Sequence, residues 1–456
     1  MKLQDIPAES IAALRTLLRS RSAILVRIRH GIAANMFGQV VSVAIQLATL
    51  PVLLRNWGVE AFGIWTLISV VPAYLGMADL GFTTAATSKM TMAYGRGDLQ
   101  AARNTLKCVL ALSLALAVAG TTLAGIGLYA WSADALSFGQ RVDGVAIKFA
   151  LMWLVVATLV SLGWNALSGA LKASGQYPVA TVFADSTRLV EALAILGVAG
   201  LFGGGIAEVA ATSMVVRIVS TIIGVMVIRH RAPWAELTLR GADLRELRSL
   251  GKPALAVLAI PIGYSLSLQG MILVVGAAID VRAVALYTAT RTVGRLSSQA
   301  VALANHASMP EVARAAGAGD WNRAGRLIWL NILAAAVVAV VFLAGVNLLG
   351  PGLIAIWLGG HLQPGWLLLL LVSTACAIQA MTNASGNMLI ALNSHERYAY
   401  AFLAMSVLAV VLAYLVASGS GLIGVAVAIM GVEAAMLLIT VLEVRRRLRL
   451  HADGAA

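Results

Sequence analysis

The sequence predicts an all-α polytopic membrane protein of about twelve transmembrane helices, built as two parallel six-helix lobes around a central cavity. Three observations carry this. The 456 residues are 60% hydrophobic and only 12% charged, with a mean hydropathy of +0.89, where a soluble domain has about 25% charged residues. Twelve stretches are long and apolar enough to cross a bilayer core about 30 Å thick. The second half of the chain repeats the first. A soluble enzyme, a disordered chain and a disulfide scaffold are excluded, since Cys108 and Cys376 both lie in apolar runs. The net charge of +13 points first to the positive-inside rule and not to nucleic acid.

The predicted spans run from 32 to 54, 61 to 84, 105 to 131, 145 to 171, 178 to 202, 205 to 229, 252 to 279, 283 to 309, 326 to 349, 364 to 392, 398 to 417 and 421 to 443. Of the 33 Lys and Arg, 25 fall on the two tails and the even-numbered connections, and 4 on the odd-numbered ones, when those within four residues of a span end are counted with the adjoining connection. Four more lie within spans. This asymmetry predicts both termini in the cytoplasm. The expected organisation is a basic segment over 1–31, a six-helix lobe over 32–229, a basic linker over 230–251, a second lobe over 252–445, and a tail over 446–456.

The first 31 residues lack the apolar core of a signal peptide. Ile11, Leu14, Leu17, Leu18 and Leu25 alternate with Arg15, Arg19, Arg21 and Arg27. This pattern suits an interfacial helix on anionic lipid, or a basic topology anchor.

At a shift of 222 residues, Ala93, Gly95, Gly97 and Asp98 fall on Ala315, Gly317, Gly319 and Asp320. At a shift of 221, Ala170-Leu171 and Tyr177 fall on Ala391-Leu392 and Tyr398. A shift of six spans preserves membrane orientation, so the repeat is parallel. Such repeats are common in transporters, with substrate held between the halves; a duplicated channel or scaffold is the other reading.

Polar residues inside spans mark candidate sites, because they are costly in hydrocarbon. On span 1, Asn35, Gln39, Ser42, Gln46 and Thr49 form one stripe, fit for sugar hydroxyls or for a neighbouring helix. Asp79 on span 2 is either an ion-coupling carboxylate or a counter-ion. Thr158, Ser161, Asn165 and Ser168 line one face of span 4. Asp185, Arg188 and Glu191 on span 5 read as a self-satisfying ladder, from which Arg188 can still reach a cavity. Glu208 and Arg217 on span 6, and Glu433 on span 12, are expected to pair with other helices. Span 8 is the clearest case. Thr288, Arg291, Arg295, Ser298 and Asn305 recur at helical spacing, with Thr292, Gln299 and His306 alongside. Arg291 and Arg295 are four apart on a span without an acid. Either they line a cavity that takes an anion, for which the guanidinium fork suits phosphate, or each pairs with an acid such as Asp79. Gln379, Asn383 and Asn387 form a stripe on span 10.

No phosphate-binding loop, metalloprotease pair, nucleophile elbow or dinucleotide fingerprint is present, and the connections are too short to house a catalytic domain. The reading is therefore not an enzyme, with no metal and no cofactor.

The segment Leu53-Leu54-Arg55-Asn56-Trp57-Gly58-Val59-Glu60-Ala61-Phe62-Gly63-Ile64-Trp65, then Ala78-Asp79-Leu80-Gly81-Phe82, then Gly95-Arg96-Gly97-Asp98, resembles the opening of the polysaccharide exporters. These are the O-antigen flippase-type members of the multidrug/oligosaccharidyl-lipid/polysaccharide (MOP) superfamily. Pro310-Glu311-Val312 through Gly319-Asp320 resembles their second-lobe loop. The resemblance implies a V-shaped pair of lobes, alternating access, and a polyprenyl-pyrophosphate-linked oligosaccharide as substrate. It also implies work beside other membrane proteins of polysaccharide assembly, by a monomer. Flippases of lipid-linked cell-wall precursors and MATE-like drug/cation antiporters share the architecture. In this reading Arg291 and Arg295, with Arg188, draw in the pyrophosphate. Asn35, Gln39, Ser42, Gln46, Thr158, Asn165, Thr288, Ser298, Asn305, Gln379 and Asn383 line the sugar path. An interior-negative membrane potential favours export of negative charge by about 2.3 kcal/mol per charge per 100 mV. Proton or sodium coupling is compatible with it.

Overall fold

The computed structural model describes residues 8–79, 81–131 and 143–453. The side chains of residues 8–29 and of His306, and the connection over 132–142, lie outside the described residues, so the amphipathic reading of the N-terminal segment has no counterpart below.

Among the described residues every regular element is helical. They are α1 (Ala8–Ile68), α2 (Val70–Leu75), α3 (Phe82–Gly95), α4 (Leu99–Ala130), α5 (Gly144–Ala173), α6 (Tyr177–Gly200), α7 (Ile206–Arg231) and α8 (Leu244–Ser265). A π-helical turn (Leu266–Gly270) joins α8 to α9 (Met271–Ala278). Then follow α10 (Val281–Gly294), α11 (Leu296–Gly317), α12 (Trp321–Trp357), α13 (Trp366–Ala391) and α14 (Glu396–Asp453).

Eight helices among the described residues are long and apolar enough to cross a bilayer. Two of them each contain two predicted spans. The run Ala33–Leu75 has 43 residues, about 65 Å at 1.5 Å per residue, twice the bilayer core. It breaks at Gly58, where φ is +81°, and α14 breaks likewise at Gly421, where φ is +57°. Glycine tolerates this left-handed region without a Cβ clash. The predicted spans outside the eight are the fifth, on α6, and the eighth, on α10 and α11. These two carry Asp185, Arg188 and Glu191, and Arg291 and Arg295. Their low apolarity follows from the polar side chains they carry.

Neighbouring helices show that the chain reverses at both breaks. Span 1 runs parallel to span 5, with Gly38 against Asp185 and Gly200 against Val52. Span 2 runs parallel to span 4, with Gly76 near Thr158 and Gly169 against Thr87. The second half repeats this. Gly263 and Gly270 of span 7 meet Phe402 and Val410 of span 11, and Gly294 of span 8 meets Cys376 of span 10. The repeated Gly-x-Gly-Asp also takes the same shape twice. Gly97 and Gly319 both have φ of +77°. Asp98 then caps α4 through the Ala101 N–H at 3.0 Å, and Asp320 caps α12 through the Arg323 N–H at 2.9 Å. Each cap contributes about 1 kcal/mol. The architecture is thus two six-helix lobes related by a parallel repeat.

The segment after α7 is pinned to the first lobe. Trp234 Nε1 donates to Ser174 Oγ at 2.7 Å, and Arg103 Nε to the Trp234 carbonyl at 3.0 Å. Glu236 pairs with Lys107 at 3.0 Å, and Glu246 accepts from Lys89 at 2.8 Å and from Thr105 at 2.6 Å. Burial alone raises the Glu246 carboxyl. The Lys89 and Thr105 hydrogen bonds and the Lys89 charge outweigh it and hold the group below the usual carboxylate range.

A carboxylate held low stabilises the fold above its unfolded-state value and loses that contribution as pH falls through its folded-state value. Acidification below the ordinary carboxylate range is expected to release this clamp, read as faster proteolysis between residues 236 and 250. Glu246→Gln should show the faster cleavage already at neutral pH. Gly224→Ala would place a methyl 2.2 Å from a Trp164 ring carbon. It is expected to cost about 1–3 kcal/mol by overpacking spans 4 and 6, measured as a lower Tm in detergent.

Candidate functional site

The lobes touch on the side away from the termini; towards the termini span 8 parts from spans 1 and 5, while the start of span 7 stays packed on α3, with Gly81 against Ala254 and Leu258. On the side away from the termini, Leu50, Leu53, Leu54 and Phe62 pack with Ala285, Ala289, Leu358 and Leu369 in one apolar cluster. At its rim Arg282 lies 3.8 Å from Glu60. Trp357 Nε1 donates to the Leu47 carbonyl at 2.8 Å. Below this seal, Gln46 Nε2 donates to the Thr292 carbonyl and Gln299 Nε2 donates to Gln46 Oε1, each at 2.9 Å. Gln46 therefore ties span 1 to both parts of span 8.

Beneath that tie a cleft of about 510 Å³ opens towards the side of the termini. Its lining includes Gln39, Ser42 and Gln46 of span 1, Arg188 of span 5, and Thr292, Arg295, Ser298 and Gln299 of span 8. One arginine comes from each lobe, both are exposed, and no acid is among the lining residues. Arg188 lies 3.3 Å from Asp185. Among the described residues no carboxylate lies within ion-pairing distance of Arg295. The buried Asp185 is set by Gly38, where a Cβ would sit 2.3 Å from its Oδ2. Span 1 thereby packs closely against the carboxylate that steadies Arg188.

Arg291 does not join Arg295, which corrects the expected pair. The π-helical turn of span 7 shifts the backbone register. Its Ser267 and Leu268 carbonyls accept from Arg291 Nη2 at 3.2 Å and Nη1 at 3.0 Å. The guanidinium is drawn into the second lobe and is 9% exposed. It also stacks on Tyr287, 5.7 Å from the ring centroid. Nothing in the sequence of span 7 marks that turn.

Several other predicted residues sit elsewhere. Asp79 is not a counter-ion for Arg291. The break in span 2 turns its oxygens onto the Gly81 and Thr83 N–H groups, both at 3.2 Å, at the start of α3. Asn305 is 2% exposed and accepts from Asn331 Nδ2 at 2.7 Å, so it is packed against span 9 and does not line the cleft. Thr288 is half-buried, with an unpartnered hydroxyl oxygen. Asn383 accepts from Tyr264 Oη at 2.6 Å. Gln379 donates to Glu433 Oε1 at 2.7 Å and to Ser267 Oγ at 3.1 Å, inside the second lobe. Asn35 is exposed, 3.4 Å from Tyr177 Oη.

Thr158 and Asn165 line a different space, a pocket of about 490 Å³ within the first lobe, where Ser69, Ser161, Glu191 and Arg217 lie among apolar side chains such as Trp65, Leu154 and Ile195. Arg217 is paired there with Glu191 at 3.1 Å. Glu208 caps its own helix through the Gly205 N–H at 2.9 Å. Of the named candidates the cleft thus collects Gln39, Ser42, Gln46, Arg188, Arg295 and Ser298.

No family model matches the sequence, and no curated protein matches it. Solved structures do. A multidrug resistance MATE family transporter of the MOP superfamily, in an inward-facing conformation, matches with a TM-score of 0.74 at 17% identity, over 92% of this chain and 100% of that one. An outward-facing MATE family transporter matches with a TM-score of 0.62 at 18% identity, over 94% and 96%. A MOP superfamily transporter from Pyrococcus furiosus, described as having a binding pocket of reverse polarity that suggests a different function, matches with a TM-score of 0.61 at 16% identity, over 93% and 96%. The chain has the MATE fold.

Each glutamine bond across the lobes contributes about 0.5–1.5 kcal/mol. Gln46→Ala with Gln299→Ala is expected to shift the population towards parting of the lobes on the sealed side. Spin labels at positions 60 and 282 would then report longer distances. An unchanged distance distribution would show that the apolar cluster alone holds the seal.

Proposed function

We propose that this protein is a flippase for a polyprenyl-pyrophosphate-linked oligosaccharide, an O-antigen, exopolysaccharide or capsule repeat unit. It would carry the unit from the cytoplasmic to the outer leaflet of a bacterial inner membrane by alternating access. The observation that carries this is the charge of the cleft, where Arg188 and Arg295 face one space from opposite lobes without an acid in the lining. By the positive-inside rule the open side, which holds the tails and most of the cations, is cytoplasmic. A diphosphate can then be held by two guanidinium groups, each a planar fork of donors. Gln39, Ser42, Ser298 and Gln299 offer hydrogen bonds to sugar hydroxyls beside it, and the prenyl chain stays in lipid.

The geometry also supports a mechanism. A ligand bridging Arg188 and Arg295 draws the two lobes together on the cytoplasmic side. Closure there strains the Gln46–Gln299 tie and opens the far side. Release of the anion outward then moves negative charge down the membrane potential.

Drug/cation antiport is the reading associated with the described MATE structures, and the first-lobe pocket with Glu191 is the observation in its favour. Arg217 already neutralises that carboxylate at 3.1 Å, which leaves the pocket without a free negative charge for a cationic drug.

Charge-assisted hydrogen bonds contribute about 1.5–3 kcal/mol each. Arg188→Gln with Arg295→Gln is therefore expected to lower export of lipid-linked oligosaccharide by two orders of magnitude or more, about 3 kcal/mol, at normal membrane abundance. The measurement is accumulation of the lipid-linked unit on the cytoplasmic face of cells complemented with the variant. Undiminished export would refute the proposal. Loss of drug tolerance with normal glycans would favour the antiporter.

A further inference from the structure

A second space lies on the face of span 1 turned away from the cleft. A groove of about 940 Å³ runs between spans 1, 5 and 6 of the first lobe. Its walls are apolar, with Ala33 and Phe37 of span 1, Val179, Val182 and Phe183 of span 5, and Met226 of span 6. Its mouth is basic, with His30 before span 1 and His230 and Arg231 after span 6. His230 and Arg231 are exposed. No acid is among the lining residues, and among the described residues no carboxylate lies within ion-pairing distance of either side chain. The change from apolar to basic falls at the predicted ends of spans 1 and 6, at 32 and 229. The groove therefore crosses from hydrocarbon to the interface on the side of the termini.

Close contacts between spans 1 and 5 separate this groove from the cleft. Tyr177 Oη donates to Asn35 Oδ1 at 3.4 Å, and Gly38 sits against Asp185. On span 1, Gln39, Ser42 and Gln46 serve the cleft, while Ala33 and Phe37 line the groove from the opposite helix face. On span 5, Arg188 serves the cleft, and Val179, Val182 and Phe183 the groove. A diphosphate held between Arg188 and Arg295 cannot lay its own prenyl chain here. One wall is braced from behind. Phe183 packs on Trp164, with ring centroids 4.6 Å apart, and Trp164 fills the space over Gly224 of span 6. The lining runs from His30 to Phe37 on span 1 and from Pro178 to Ser186 on span 5. At 1.5 Å per residue this is about 10–12 Å, most of one leaflet of a hydrocarbon core about 30 Å thick.

We propose that this groove is a binding site for an anionic glycerophospholipid of the cytoplasmic leaflet. One acyl chain lies along Phe37, Val182, Phe183 and Met226, and the phosphate meets Arg231 and His230 at the mouth. Three properties select this ligand. Apolar walls at membrane depth take a hydrocarbon chain and leave a wholly polar ligand unsatisfied. A basic mouth without an acid favours an anionic headgroup, and a guanidinium suits its phosphate. The contacts at Asn35 and Gly38 exclude the prenyl chain of a ligand seated in the cleft. The bound lipid fills the space behind span 1 and supports the helix that carries Gln39, Ser42 and Gln46 into the cleft. The site uses none of the cleft residues, so it stands or falls apart from the flippase reading.

The test uses the full chain. In detergent, the protein is given phosphatidylglycerol or phosphatidylcholine with the same acyl chains, and retained lipid is counted by native mass spectrometry. Phosphatidylglycerol is expected to be retained about fivefold better, and Arg231→Gln with His230→Gln to abolish that preference. In vesicles, phosphatidylglycerol with a photoreactive group on its acyl chain is expected to label the peptides that hold residues 33–37 and 179–183. Val182→Trp fills the groove and is expected to suppress labelling of both peptides. Val182 is exposed to the groove, and Ala33→Trp provides a second filling variant should the first fail to fold. Equal retention of the two lipids, a preference that survives loss of Arg231 and His230, or labelling that ignores the filling variants would overturn the proposal. Displacement of the label from both peptides by a short prenyl diphosphate would also overturn it, because the groove would then belong to the substrate path.

Discussion

Charge inside a bilayer has to be paired, solvated or absent, and this fold is arranged around that constraint. The first lobe meets it with direct pairs, Arg188 to Asp185 and Arg217 to Glu191. The second lobe meets it with backbone, since the π-helical turn of span 7 offers two carbonyls to Arg291. Neither Arg291 nor Arg295 has a carboxylate within ion-pairing distance among the described residues, and of the two only Arg295 also lacks those backbone carbonyls. It is exposed to the cleft, where water or an anionic ligand can satisfy it.

The same constraint explains the uneven closure of the cleft. Apolar side chains seal the side away from the termini, because Leu53, Leu54, Ala285 and Leu369 have nothing to gain from water. Polar side chains line the open side and need either water or a ligand. The boundary between the two is one glutamine, Gln46, which bonds both to the backbone and to a side chain of span 8. Alternating access in such a protein is an exchange of which half carries the satisfied groups.

Much of the architecture was legible beforehand. Ten of the twelve predicted spans followed from length and apolarity, the lobes from the Gly-x-Gly-Asp repeat, and both repeats fold into the same capped turn at Asp98 and Asp320. Individual side chains were less legible. Helical spacing placed Arg291 with Arg295, yet a long guanidinium goes where unpaired carbonyls lie, and those belong to another span. Asp79 read as an ion-coupling carboxylate or a counter-ion because the break after α2 has no strong sequence signature. Asn305 shared a stripe with the cleft residues Arg295 and Ser298, and Asn383 one with Gln379, but they found partners in Asn331 and Tyr264.

The amino-acid sequence by itself determined the membrane class, the repeat, the candidate pool of polar side chains and the asymmetry of charge between the two faces. These depend on composition and periodicity, which are local properties. Tertiary structure decided which arginines face the cleft and which carboxylates are spent on pairing or capping. Those outcomes depend on which donors and acceptors from distant spans come within 3 Å of one another, and no spacing along a single helix encodes that.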